Sequence, residues 1–244
     1  MSKRKQRNNS SEHSLDQSFR LKKISPMTDT QQDAFDAYYE NFNLFLYGVA
    51  GTGKTYISLY LALKEILNPN SPFRQVYVVR SSVPSRDMGF MPGKLQEKMQ
   101  VYEAPYVGMI NDLFGRGDAY EIVNTKNVFK MVSTSFLRGT TFENCIMIVD
   151  ETQNMNYEEL KTVITRCGNN SKIIFCGDVC QNDLYRSKFD TTGMPEFMQI
   201  ISQMESFELI EFAAEDVVRS GICKEFILAE LKLAAVNNST VANL

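Results

Sequence analysis

The sequence predicts an α/β fold in which a doubly wound, mainly parallel sheet carries helices on both faces. Three observations predict it. Short apolar runs of strand length alternate with longer stretches of helical spacing. A glycine-rich loop, Gly48-Val49-Ala50-Gly51-Thr52-Gly53-Lys54-Thr55, falls between a strand-like run and a helix-like run. Two later apolar runs end in acidic residues, at Asp150-Glu151 and at Gly177-Asp178.

The elements follow in order. From residue 28 the spacing of Ala34, Phe35, Tyr38 and Tyr39 predicts a helix with one apolar face. Residues 44–47 have the length of a buried strand, and the loop follows at once. Residues 55–67 read as a helix stopped near Pro69. Residues 75–79 are the next strand, and 80–93, with two prolines and two glycines, read as loop. Residues 94–114 are expected to be helical in pieces. Strands are expected at 128–132, 142–149, 172–176 and 207–212. Helices are expected at 157–167, 195–204 and 219–235. No internal repeat is present, and nothing divides the chain into two comparable domains.

At 244 residues the chain has room for one α/β domain with short extensions. Residues 26–244 are read as that domain. Residues 1–25 form a basic arm, with Lys3, Arg4, Lys5, Arg7, Arg20, Lys22 and Lys23 against Glu12 and Asp16. Its composition suits a disordered solubilising tail, and equally an electrostatic arm for a polyanion. The net charge of −3 excludes a nucleic-acid binder that works by bulk charge. No apolar run approaches the ~20 residues that span a bilayer, and the N-terminus has no apolar export segment. These features predict a cytoplasmic protein without a membrane partner. Five cysteines and a single histidine, His13, offer no zinc-ligand spacing.

The glycine loop carries the chemistry. In the pattern G-x-x-x-x-G-K-[ST], glycines let the backbone curl so that successive N–H groups face phosphate oxygens. The helix that follows adds its dipole. Lys54 reaches the β- and γ-phosphates, and Thr55 gives a hydroxyl to Mg²⁺. Gly48, Val49, Ala50, Gly51, Thr52, Gly53, Lys54, Thr55 and the adjoining Tyr56 form the expected nucleotide-binding set. A strand before the loop and a helix after it are the context the motif needs. Such a site also needs an acid at the end of a buried strand. Ile146 to Glu151 supplies it, with Asp150 for Mg²⁺ and Glu151 to orient or deprotonate water. Gly177-Asp178-Val179-Cys180-Gln181 ends another apolar strand. In a parallel sheet the C-terminal strand ends share one crevice, so Gln181 is placed to sense the γ-phosphate.

Together these motifs resemble the PhoH-like proteins, ATPases associated with phosphate starvation and related to the core of the first helicase superfamily. The resemblance rests on the glycine loop, on Asp150-Glu151-Thr152-Gln153-Asn154, and on Gly177 to Gln181. Three further segments support it. Met88-Gly89-Phe90-Met91-Pro92-Gly93-Lys94-Leu95-Gln96-Glu97-Lys98 is similar to the family's GFLPG-x-LQEK. Phe136-Leu137-Arg138-Gly139 with Thr141-Phe142 is similar to LRG-x-T-F, and Asp216-Val217-Val218-Arg219 to DVVR. Thr140 departs from the usual second arginine, and Thr152 from the usual alanine.

The resemblance implies a RecA-like P-loop core that uses ATP and Mg²⁺. It implies that Gln31 reads the adenine edge. It implies that Arg80, Ser81, Thr134 and Ser135 contact a single-stranded nucleic-acid backbone, RNA rather than DNA. A helicase closes its ATP site between two such folds, and this chain has one. The resemblance therefore implies a homo-oligomeric ring, a hexamer, in which Arg219 acts as a finger on the neighbour's phosphate; Arg138 and Arg166 are the alternatives. A protein-remodelling ATPase and a nucleotide-gated scaffold stay open as competing readings.

Overall fold

The computed structural model describes residues 19–81, 95–178 and 192–241, without the side chains of 95–101 and 234–241. Its elements run α1 (Asp29–Tyr39), β1 (Asn43–Gly48), α2 (Lys54–Ile66), β2 (Gln75–Arg80), α3 (Leu95–Phe114) and α4 (Ala119–Thr125). They continue with β3 (Phe129–Ser133), β4 (Cys145–Val149), α5 (Tyr157–Ile164), β5 (Ser171–Asp178), α6 (Met194–Ile201), β6 (Phe207–Phe212) and α7 (Gly221–Val241). Six strands form one sheet in the order β3-β2-β4-β5-β1-β6. Every recorded pairing is parallel, so the expected doubly wound α/β architecture is present.

The period of two along each strand explains the two cores. Leu44, Leu46, Val76, Val78, Ile146, Ile148, Ile174 and Cys176 pack on the face covered by α1 to α4. Phe45, Val79, Met147, Val149, Ile173 and Phe175 pack on the opposite face with α5 and α6. All of β4 is buried, as a strand with helices on both sides must be.

Three local differences from the expected elements have physical causes. The stretch expected to be helical in pieces is one helix, α3, with Pro105 inside it. The tertiary burial of Tyr106, Ile110 and Leu113 holds it together, which outweighs the proline's missing donor. The short helix α4 carries no clear period, and its Ala119 and Val123 are buried. Thirdly, the arm ends earlier than residue 25. Phe19 is only 5% exposed and stacks on Phe114 at 4.1 Å between centroids. Lys22 donates its backbone N–H to Leu113 and pairs with Asp112. The basic residues before position 19 lie outside the described residues.

Candidate active site

The C-terminal ends of β1, β2, β4 and β5 open onto a cavity of about 630 Å³. This is where a doubly wound sheet binds its ligand. The glycine loop forms the floor. Gly48, Gly51 and Gly53 have φ of +119°, +75° and +88°, angles that side-chain-bearing residues rarely adopt. Gly48 is doubly required, because a Cβ there would lie 2.1 Å from the Phe212 carbonyl oxygen on β6. The Lys54 ammonium lies in the hollow of the loop. It donates to the carbonyls of Val49 at 2.6 Å and Gly48 at 3.4 Å and to Thr52 Oγ1 at 3.2 Å. Burial lowers its pKa, and the nearby Asp178, Cys176, Asp150 and Glu151 oppose that shift.

Asp150 is gripped on both oxygens. Thr55 Oγ1 donates to Oδ1 at 2.8 Å, and Tyr106 Oη donates to Oδ2 at 2.5 Å. Tyr106 is 1% exposed, and burial followed by Asp150 holds its hydroxyl well above the usual tyrosine pKa. It therefore stays a donor. A carboxylate beside a hydroxyl is an oxygen-only donor pair. That suits Mg²⁺, a hard cation commonly held by one or two carboxylates together with substrate phosphates. Asp150 and Thr55 fit the expected role.

Glu151 follows in a left-handed conformation, φ 57° and ψ 44°. Gln153 Nε2 donates to its Oε2 at 2.6 Å, and Gln153 Oε1 accepts from the Asp178 backbone N–H at 2.9 Å. One amide thus ties the end of β4 to the end of β5. Burial and then Asp150 raise the Glu151 pKa, while Arg80 and Gln153 pull it down. Thr152 is fully buried and donates to the Cys176 carbonyl at 3.1 Å. A Cβ on Gly177 would lie 2.2 Å from its hydroxyl, so the threonine requires that glycine.

The other expected residues fall in different places. Gln31 lines the cavity. Its amide accepts from the Met27 N–H and donates to the Thr52 carbonyl, both at 2.9 Å, so it braces the loop. Tyr56 lines the same cavity and donates to Asp112 at 2.6 Å. Asp216 is a brace and accepts from Thr30 Oγ1 and the Ala213 N–H. Arg219 lines the cavity of its own chain, with its Cγ 3.0 Å from where a Cβ on Gly51 would stand. The Val218 N–H, bonded to the Gly51 carbonyl at 3.1 Å, sets it beside this loop. Gln181 lies outside the described residues.

The four residues expected at a nucleic-acid backbone separate. Arg80 faces into the cavity, with Nη2 4.0 Å from Glu151 Oε1 and its guanidinium 5.3 Å from the Tyr102 ring centroid. Ser81 and Thr134 donate to Glu159 Oε1 at 2.8 and 2.7 Å. Thr134, Ser135, Arg138 and Glu159 line an outer cleft of about 400 Å³. The signal that separates Arg80 from Ser81 is the strand period. Val76 and Val78 face α1 to α4, so Arg80 continues toward α3 and Ser81 turns to α5. Tyr106 and Gln153 were missed as functional residues. Gln153 sits inside a recognised string, whereas Tyr106 has no motif around it.

A glycine loop between strand and helix, a hydroxyl–carboxylate pair at its mouth and a carboxylate beside them define a P-loop NTPase site. A family model described as PhoH-like protein matches residues 23–230, and the chain belongs to that family. A PhoH-like protein of Bacillus subtilis (strain 168) is 30% identical over 209 residues, 85% of this chain and 64% of that protein. Protein PhoH of Escherichia coli (strain K12) is 30% identical over 188 residues, 76% of this chain and 52% of that protein. The chain thus matches about half to two thirds of these relatives' lengths. Among solved structures, the large terminase of a thermophilic bacteriophage in complex with ADP aligns at 10% identity and a TM-score of 0.45. That alignment covers 82% of this chain and 48% of the terminase. Pif1 helicase from Candida albicans aligns at 14% identity and a TM-score of 0.35, over 78% of this chain and 41% of the helicase.

Proposed function

We propose that the chain hydrolyses ATP with Mg²⁺ and couples hydrolysis to single-stranded nucleic acid, RNA rather than DNA, as a helicase or translocase. The observation that carries the hydrolytic part is the arrangement of Asp150 and Glu151. Asp150 is bonded to the loop's own Thr55, and Glu151 stands beside it at the mouth of the same cavity. In this reading Lys54 exchanges its loop carbonyls for phosphate oxygens. Asp150 and Thr55 hold the cation. When bound, magnesium offsets charge on the phosphate oxygens. Glu151 orients a water or takes its proton. Gln31 and Tyr56, which line the same cavity, take the base. The coupling to nucleic acid rests on the family and on Arg138 at the outer cleft.

The same proposal includes a ring of six copies. Its structural support is α7, which begins beside the cavity. Ile222, Phe226 and Leu233 are 85%, 66% and 62% exposed, and their spacing puts them on one helical face. An apolar stripe of this kind suits a contact between copies.

One experiment tests the reading. ATP turnover is measured with and without poly(U) or single-stranded DNA, with particle mass followed by light scattering. Glu151→Gln is the control. Turnover in the wild type and its loss in Glu151→Gln, with ATP binding kept, are the expected results. Equal turnover by Glu151→Gln sinks the catalytic assignment. Stimulation by a protein and not by either polymer favours the remodelling reading.

A further inference from the structure

We propose that Arg80 is a positioning residue for hydrolysis, acting through Glu151 by holding one carboxylate oxygen while Gln153 holds the other. The inference rests on the hydrolytic reading above and deepens it.

The starting point is the backbone of Glu151. A non-glycine residue in the left-handed region is strained, and such strain persists only where the surroundings enforce it. Two groups flank the carboxylate, one by a hydrogen bond and one as an ion pair at its outer limit. Gln153 takes Oε2 at 2.6 Å, and Arg80 Nη2 stands 4.0 Å from Oε1. The two groups come from opposite sides. Gln153 is bound to the β5 end through the Asp178 N–H. Arg80 ends β2, the strand on the other flank of β4.

Arg80 is itself held tightly enough to act as an anchor. Its backbone is in register with Ser133 of β3, and the Asp150 N–H donates to the Val79 carbonyl at 3.0 Å. Ser81, the next residue, is bonded to Glu159 at 2.8 Å on the opposite face of the sheet. The guanidinium lies over the Tyr102 ring at 5.3 Å. A planar fork can rest on a ring and still offer N–H groups at its edge. The surroundings keep the cation charged. Burial alone lowers its pKa, and Tyr106, Asp150, Glu151 and Tyr102 together outweigh burial.

This geometry assigns Arg80 to the carboxylate and not to an open nucleic-acid backbone. A base placed off its line to the attacking water loses rate without losing substrate. Small misplacements cost on the order of a hundredfold.

The test is a kinetic cycle on the full chain. Arg80→Ala is expected to lower kcat by roughly ten- to a hundredfold, with the KM for ATP and the affinity for a fluorescent ADP analogue within about twofold. Arg80→Lys recovers part of kcat, because it restores the charge without the fork. The double variant Arg80→Ala with Glu151→Gln turns over no more slowly than Glu151→Gln alone, because coupled residues are not additive. Multiplying effects overturn the inference and make Arg80 an independent phosphate ligand. So does an unchanged kcat in Arg80→Ala. Where Arg80→Ala does not fold, Arg80→Gln takes its place in the cycle. A wild type without turnover sinks the hydrolytic reading and this inference with it. A wild type with turnover and an additive cycle sinks the inference alone.

Discussion

The end of β2 divides two regions built on opposite faces of one sheet. On the α3 side, Arg80 enters the nucleotide cavity. Lys54, Asp150, Glu151 and Asp178 meet there, with Tyr106 and Gln153 as hydrogen-bonding partners. On the α5 side, Ser81 donates to Glu159 on the wall of the outer cleft, and Glu159 accepts from two hydroxyls and also closes the capping box of α5 with Asn156. The inner region is the larger and holds the buried charges of Lys54, Asp150 and Asp178. The outer one is smaller and is made of residues that also serve local structure. The last residue of β2 and the one after it thus serve sites of different energetic character. In the inner site each polar group depends on a specific partner, because an unpaired buried group is costly. In the outer site water can replace most partners.

The largest expected effect lies at the floor of the inner site. Gly48→Ala puts a methyl 2.1 Å from the Phe212 carbonyl at a φ of +119°. The β1–β6 ladder must part, or the loop must leave its curl. Strain of this kind added to overpacking costs about 3 kcal/mol or more. The expected outcome is a large fall in the denaturation midpoint and loss of nucleotide binding. A variant that binds the ADP analogue like the wild type shows the loop to be more forgiving than its contacts imply.

A middle-sized effect belongs to Tyr106. Tyr106→Phe keeps the ring in the core and removes the donor to Asp150 Oδ2. A hydrogen bond to a charged group contributes about 1.5–3 kcal/mol. Stability is expected to fall by roughly that amount at an unchanged denaturant slope. Mg²⁺ with ATP is expected to restore part of the loss, since a bound cation satisfies the orphaned oxygen. A shift within error of zero shows that water replaces the phenol, and the contrast between the two regions weakens.

Much of this was legible in the sequence, for identifiable reasons. The six strands follow from short apolar runs of strand length, and β6 was expected at its observed limits. The glycine loop was legible because its chemistry demands adjacent residues. Thr55 and Asp150, read from two motifs as holders of one Mg²⁺, lie 95 positions apart and are hydrogen-bonded at 2.8 Å. Tyr106 was not legible. It reaches Asp150 only because α3 stays continuous through Pro105, and that continuity is decided by packing against the sheet. The place of Arg219 beside its own chain's loop was not legible either, because it depends on one backbone hydrogen bond, from Val218 to Gly51. Arg80 and Ser81 were grouped together as loop residues. Extending the strand period by two residues would have separated them.

The smallest effect is expected in the outer cleft, and its sign is the informative part. Glu159→Gln removes a carboxylate from the wall shared with Thr134, Ser135 and Arg138. The amide oxygen can still accept from Ser81, Thr134 or the Asn156 N–H, so the capping box survives in weaker form. Stability is expected to change by less than about 1 kcal/mol, and turnover without polymer by less than about twofold. A polyanion meets one fewer like charge, so its affinity is expected to rise about threefold at low salt, with the gain shrinking as salt screens the cleft. Titration of labelled single-stranded RNA at two salt concentrations measures this. A gain at both concentrations points to a steric role for Glu159. A loss of affinity means that the carboxylate holds Ser81 and Thr134 in the conformation the polymer needs. The two regions are then coupled through β2, since Ser81 is fixed to the residue that faces Glu151.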